Sequence, residues 1–325
     1  MNLRRRAFLR LAAGAAALPA LPRFVRAAAY PSRPVHLVVG FAAGSASDIL
    51  ARLIGEKLSQ RLGQPFIVEN HGGAGGTVGA GMAARAPADG YTLLISGSAD
   101  AVTATLYDKL NYNFLRDFAP IAGIALSPLV LVVPPSFPAN TLSEFIVYAK
   151  ANPRKINYGS AGVGSVAHMA GALFESEAGV QMVHVPYRGL APALTDLMGG
   201  RVQAVFSTMP PAVGHVKAGR LRALAITSST RSETFPDLPT IGDFLPGYEA
   251  SIMEGLSAPK GVSADVVAIL NNEVAALVTD PQIKARLADL GTVPAPMTSA
   301  DYGKYLAKET DKWARVIRTA DLKPQ

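Results

Sequence analysis

The chain has 325 residues and a mass of 33.9 kDa, with 49 % apolar and only 17 % charged residues, which excludes a disordered or coiled-coil protein and allows two domains around a substantial core. Its net charge of +7 and pI near 9.6 suggest a nucleic-acid partner, but Arg4, Arg5, Arg6, Arg10, Arg23 and Arg26 all lie within residues 1–29, where no acid occurs. The 31 basic residues less those six leave 25 against 24 acidic ones, a body of charge +1 without a footprint for a phosphate backbone, so a nucleic-acid partner is excluded.

Residues 1–29 have the three parts of a secretory signal: a basic stretch, a short apolar run at 11–21, and the small residues Ala27, Ala28 and Ala29 before a cleavage point. The order Arg5-Arg6-x-Phe8-Leu9-Arg10 is that of the twin-arginine export signal. The apolar run is about half the ~20 residues that span a bilayer, and Pro19 and Pro22 interrupt it. Export into a Gram-negative periplasm is therefore expected, with cleavage after Ala29, although Ala27 and Ala28 also permit it, and the absence of cysteine fits an oxidising compartment. No later segment is expected to cross a membrane: the longest uncharged stretch, 118–143, contains Pro120, Pro128, Pro134, Pro135 and Pro138.

Beyond the signal, short β-rich runs alternate with amphipathic helical runs. Strands are expected at 35–41, 66–69, 91–96, 129–133, 156–158, 182–185, 202–206 and 221–226, mostly apolar on both faces as in sheets covered by helices on two sides. Between them, Thr141-Leu142-Ser143-Glu144 is a capping box, and Val166, Met169, Ala170, Leu173 and Phe174 form one buried helical stripe. Ser263 and Asp280-Pro281 open two further helices, Gly291 closes the second, and Ser299 opens a long final helix with Tyr302, Leu306, Trp313 and Ile317. The alternation predicts doubly wound α/β architecture. Two Pro- and Gly-punctuated stretches, 128–138 and 247–261, are expected to be crossovers between lobes. They divide the chain into a signal at 1–29, a discontinuous first lobe of 30–130 plus 254–325, and a second lobe of 131–253.

Two small-residue loops carry the chemistry. The first strand leads into Ala42-Ala43-Gly44-Ser45-Ala46-Ser47-Asp48 and a helix, where unpaired N–H groups meet the positive end of the helix dipole and Ser45 and Ser47 add hydroxyls, a setting for an anion. The alternative is that Ser47 or Asp48 merely caps the helix; a P-loop is excluded because Gly-Lys-Ser/Thr is absent. The second loop, Gly159-Ser160-Ala161-Gly162-Val163-Gly164-Ser165, also precedes a helix, with His168 in its first turn, where the dipole is expected to depress its pKa. A satisfied, partly buried histidine is the alternative for His168. If the loops face each other across a cleft, they hold the two ends of one small anion. The glycines of 72–81 fit a close-packed loop and helix start better than a dinucleotide fingerprint, because they begin too far from the preceding strand.

Catalytic and metal chemistry find little support. Ser160 does not sit in a Gly-x-Ser-x-Gly elbow, and the five histidines show no metal-binding spacing, so neither a metal nor another cofactor is expected. A hydrolase using Ser160 or Ser165 with His168 is the remaining enzymatic alternative.

Several strings occur together in one order: Tyr30-Pro31-Ser32-Arg33-Pro34-Val35, Val68-Glu69-Asn70 with Gly73-Ala74-Gly75-Gly76, Asp89-Gly90-Tyr91-Thr92-Leu93, His184-Val185-Pro186-Tyr187-Arg188-Gly189, and Pro239-Thr240. With them the chain resembles the substrate-binding receptors of tripartite tricarboxylate transporters, the Bug (Bordetella uptake gene) proteins, from about Tyr30 to the final helix. The resemblance implies a two-lobed periplasmic binding protein of Venus-flytrap type, each lobe a sheet flanked by helices, with a central ligand cleft. It also implies that a small di-, tri- or aromatic carboxylate is captured and delivered to an integral-membrane permease, with no enzymatic activity. A monomer that does not itself span the membrane after cleavage is expected. A ligand-sensing accessory of a two-component system has the same fold and remains the alternative.

On that resemblance residues 41–48 and 160–168 grip the carboxylate. Gly44, Ser45, Ser47, Ser160, Gly162, Gly164 and Ser165 are the expected anion donors, with His168 and Ser207 as further contacts, Tyr187 as a wall, and Phe41, Ala43 and Asp48 completing the first loop. Two departures stand out. The family's Phe-x-Pro-Gly-Gly is Phe41-Ala42-Ala43-Gly44-Ser45 here, and an acid common after the strand at 202–206 is replaced by Ser207-Thr208-Met209, which favours a plain or aromatic carboxylate over an amino acid.

Overall fold

The computed structural model describes residues 30–107, 109–320 and 322–323; the export signal expected at 1–29, with the cleavage site expected there, lies outside them. The chain divides into a short unit, Met1–Ser32, in which the Tyr30–Pro31 peptide is cis, and a second unit, Arg33–Gln325, that carries the secondary structure below. The strands are β1 (Val35–Val39), β2 (Phe66–Asn70), β3 (Thr92–Gly97), β4 (Phe118–Val133), β5 (Asn157–Ser160), β6 (Val183–Pro186), β7 (Ala204–Thr208), β8 (Arg222–Ile226), β9 (Ser251–Pro259) and β10 (Val293–Met297). The helices are α1 (Ala46–Leu62), α2 (Thr77–Ala84), α3 (Ser98–Leu106), α4 (Phe114–Asp117), α5 (Leu142–Ala151), α6 (Val166–Ala178), α7 (Leu190–Met198), α8 (Met209–Lys217), α9 (Ala264–Thr279), α10 (Pro281–Asp289) and α11 (Ser299–Thr319).

Local chemistry sets many of these boundaries. Ser45, Thr141, Ser165, Ser263 and Asp280 each accept a backbone N–H of the helix that follows, satisfying donors that have no partner within the helix. The cap of α11 is Thr298 rather than Ser299, whose hydroxyl instead donates to the Pro120 carbonyl at 2.8 Å.

The strands run in the order β2-β1-β3-β9-β4-β7-β5-β6, with β10 and β8 also paired to β4. β1 is parallel to β2 and β3, and β5 is parallel to β6 and β7, the parallel pairing expected of α/β crossovers. Long β4 joins two half-sheets. Its residues 118–128 pair antiparallel with β9, and its residues 129–133 pair with β7 and β8. The chain returns through the segment before β9, where the Ala250 amide donates to the Thr227 carbonyl.

The two stretches expected as crossovers between lobes both contain strand, the end of β4, which was expected, and β9, which was not. Pro128 lies within β4 opposite Ser251, and most of 247–261 is β9. Proline is tolerated in β4 because the ladder is irregular near Pro120 and changes partners just after Pro128, where a missing N–H costs little. β9 showed little periodicity because both its faces are buried and Gly255 interrupts it: a Cβ there would lie 2.4 Å from the Ala122 carbonyl oxygen. β10, with Pro294 and Pro296, was also unexpected and sits as an edge strand on β4.

Two of the apolar clusters beneath the half-sheets share a helix. One gathers Val38, Leu94, Phe114, Phe118 and Met253; the other gathers Leu131, Phe145, Tyr158, Phe174 and Phe206. α11 enters both, with Tyr302 and Leu306 in the first and Trp313 and Ile317 in the second.

Candidate functional site

A cleft of about 470 Å³ opens where the two half-sheets meet, lined by residues from α1, α3, α6, α7 and α8, the β1–α1 and β5–α6 loops, β4 and β9. Five helices begin at its wall, and four of them present free amides to it. The first two amides of each, at Ala46 and Ser47, Ser98 and Ala99, Val166 and Ala167, and Leu190 and Ala191, precede any intrahelical partner, and all eight residues line the cleft. Four positive helix ends therefore surround one space, an arrangement that favours an anion without any lysine. α8 adds shape rather than donors, since Pro210 and Pro211 carry no N–H. The remaining surface is largely apolar, through Phe41, Ile49, Ile95, Leu129, Pro192 and Ile252. Arg188 is exposed at the rim, with no ion-pair partner among the described residues.

Both expected loops line the cleft. Phe41, Ala43, Gly44, Ser45, Ser47 and Ser165 all line it. The remaining expected residues stand behind that surface. Asp48 is buried; burial raises its pKa, but hydrogen bonds from Arg52, the Gly44 amide and Asn70 outweigh this and hold it below the usual carboxylate range. It braces the loop, while Ser45 caps α1. Gly162 and Gly164 shape the second loop in the left-handed region that favours glycine, with φ of +117° and +80°. Ser165 is spent locally, donating to the Gly162 carbonyl and accepting from the His168 amide. Tyr187 donates its hydroxyl to Asp196 at 2.8 Å, and Ser207 donates to the Thr208 carbonyl.

Ser160 and His168 belong to a buried stack under the second loop. The rings of His168 and His184 lie 3.8 Å apart and nearly parallel, and His184 Nε2 is 2.6 Å from Ser160 Oγ. The Gly164 amide donates to His168 Nδ1, so the ring proton is on Nε2. Burial lowers the pKa of His168 to about 4, and burial together with the neighbouring ring lowers that of His184 to about 3, so both are neutral.

Three contributors had little signal in the sequence. Ser98 begins a helix whose cap is Gly97, with Asp100 reaching back to accept the Gly97 amide at 2.9 Å. Gly97 is required by close approach: a Cβ there would fall 1.8 Å from the Met253 carbonyl oxygen. The α7 start was legible only as Arg188-Gly189 before an apolar run. Glu254, on β9, is 5 % exposed and lines the cleft, where Ser47 Oγ hydrogen-bonds its Oε1. Burial raises both Glu254 and Asp100 to about 7, opposed by the Ser47 hydroxyl and the Gly97 amide respectively. Among the described residues no three His, Asp or Glu side chains are grouped to hold a metal, and no helix is long and apolar enough to cross a membrane.

A mixed α/β chain whose two half-sheets enclose such a cleft has the two-lobed fold of periplasmic solute-binding proteins. Solved structures agree: Rpa4515 of R. palustris with adipate superposes with a TM-score of 0.86 at 35 % identity, over 91 % of this chain and 100 % of that one. MatC of Rhodopseudomonas palustris with bound malate gives a TM-score of 0.81 at 33 % identity, over 89 % and 100 %. Protein BugT of Bordetella pertussis is 36 % identical over 302 residues, covering 92 % of this chain and 93 % of BugT. Residues 50–322 match the family described as tripartite tricarboxylate transporter family receptor, and the chain belongs to that family.

Proposed function

We propose that this chain is the periplasmic receptor of a tripartite tricarboxylate-type transporter and that it captures a small carboxylate in the cleft for delivery to an integral-membrane permease. The observation that carries this reading is the convergence of four helix N-termini on one largely apolar cleft: backbone amides hold the charge, and the apolar walls accept a carbon skeleton. Family membership and the carboxylates bound by two relatives support it. In this reading the lobes are 30–130 plus 254–325 and 131–253. They close on the ligand by rotation at β4 and at the strand entry to β9. The twin-arginine signal at 1–29 exports the chain, which then works as a monomer.

Binding without turnover fits the buried stack. Ser160 pairs with His184 instead of His168, Ser165 is committed to its loop, and neither ring has a carboxylate partner among the described residues. Calorimetric titration of the mature protein against mono-, di-, tri- and aromatic carboxylates tests the reading. Saturable binding of at least one, with the ligand recovered intact, is expected; binding of neutral solutes alone overturns it.

A further inference from the structure

Glu254 has no place in a simple anion trap. It is 5 % exposed, faces the cleft, and accepts Ser47 Oγ at Oε1, while its second oxygen has no hydrogen-bond partner among the described residues. Ser47 is at the same time one of the hydroxyls at the start of α1 that a ligand carboxylate would meet. A hydroxyl has a single proton to give. With Glu254 ionised, Ser47 spends that proton on Glu254 and offers the ligand only lone pairs beside a buried negative charge. With Glu254 protonated, the acid donates to Ser47 Oγ and the serine proton turns to the ligand.

We propose that Glu254 sets the hydrogen-bond polarity of Ser47, so that the cleft takes up its carboxylate together with one proton. The proton comes from solvent and resides on Glu254 in the complex. This deepens the carboxylate reading and rests on it. Among the described residues the cation that lines the cleft is Arg188, which stands exposed at the rim before α7 and makes no contact with Glu254. From α1 the nearby charges are Asp48 and Arg52, bound to each other; from α3 comes Asp100, held by the Gly97 amide; from α11 comes Tyr302, donating to the Ser96 carbonyl, with Glu309 beyond it bound to Lys312, Trp313 and Ser98. β3 and β4 present Gly97 and Ala125 opposite Glu254, and α10 and its C-cap present Leu287 and Leu290, none of which titrates. Burial already places Glu254 at about 7 in the free protein, so a ligand that requires the acid form completes a proton uptake that is half made at neutrality.

The test is calorimetry with succinate, malate, adipate and benzoate, in two buffers of different ionisation enthalpy at pH 6 and pH 8. Wild type is expected to take up about 0.9 proton per ligand at pH 8, with a Kd about tenfold weaker there than at pH 6. Glu254→Gln, a permanent stand-in for the neutral acid, is expected to bind with no proton uptake and no pH dependence, whereas Glu175→Gln, at an acid that burial also raises but that lies outside the cleft lining, retains both. As a readout independent of any variant, the Glu254 carboxyl carbon in labelled wild type is expected to titrate near pH 7 when free and to remain protonated at pH 8 in the complex. A carboxylate bound without proton uptake, or uptake that persists in Glu254→Gln, overturns the proposal while leaving the carboxylate reading intact. Failure of every carboxylate to bind wild type overturns the reading and the proposal with it.

Discussion

Ser47 and the His168–His184 stack show what single side chains contribute here. Ser47 touches both Glu254 and the cleft, yet it does not cap α1, a role held by Ser45. Ser47→Ala is therefore expected to weaken carboxylate binding by at least tenfold, since a hydrogen bond to a charged group is worth about 1.5–3 kcal/mol, and to lower the melting temperature as well, because buried Glu254 loses its partner. Calorimetry beside a thermal melt separates the two effects. The histidines and the buried acids pull stability in opposite directions with pH. His168 and His184 are neutral in the fold at pH values where the unfolded chain protonates them, so their contribution to stability is lost as pH falls from about 6.5 toward 4 and below. Glu254 and Asp100 hold protons in the fold that the unfolded chain has released, so their contribution is greatest at low pH and lost as pH rises toward about 7. Across pH 4–6.5 the slopes offset. Glu254→Gln removes one acid slope, and its melting temperature is expected to fall more steeply on acidification than that of wild type.

At the scale of elements, the cleft is built from helix beginnings and small residues. Ala43 and Ala191 are exposed on its wall, the first in the β1–α1 loop and the second in the opening turn of α7. Ala43→Leu or Ala191→Leu fills ligand space without entering a core; each is expected to weaken binding by tenfold or more in calorimetry, with an unchanged melting transition. The two loops and their helices were legible in the sequence because glycines and serines between a strand and an amphipathic run are a local signal. The eight short strands were legible through their apolar content, with ends displaced by a few residues. β9 and the first part of β4 were not, because prolines, glycines and uniform burial erase the alternation that marks a half-exposed strand. The same loss hid Glu254. A lone acid in a Gly- and Pro-punctuated stretch resembles a surface loop until strand pairing places it opposite Gly97.

For the whole molecule, α11 matters most. Its N-terminal half packs Tyr302 and Leu306 into the cluster beneath β1 and β3, and its C-terminal half packs Trp313 and Ile317 with Leu131, Tyr158 and Phe206. Trp313 is fully buried and donates its indole N–H to Glu309 at 2.9 Å, with Lys312 Nζ over the ring. Trp313→Ala is expected to cost about 3–5 kcal/mol, read as a lower urea midpoint. Because one helix serves both clusters, the loss is expected to lower the stability of both half-sheets in a single transition rather than split it into two.

Trp313 is also the chain's sole tryptophan. All indole emission therefore originates at one shielded spot on the helix common to both clusters, beside the Glu309 carboxylate that Ser98 links to the cleft wall. Filling of the cleft is expected to change the intensity of that emission in unlabelled protein, read by fluorescence titration with a carboxylate; an unchanged spectrum at saturation would show that the link through Ser98 and Glu309 does not sense the ligand.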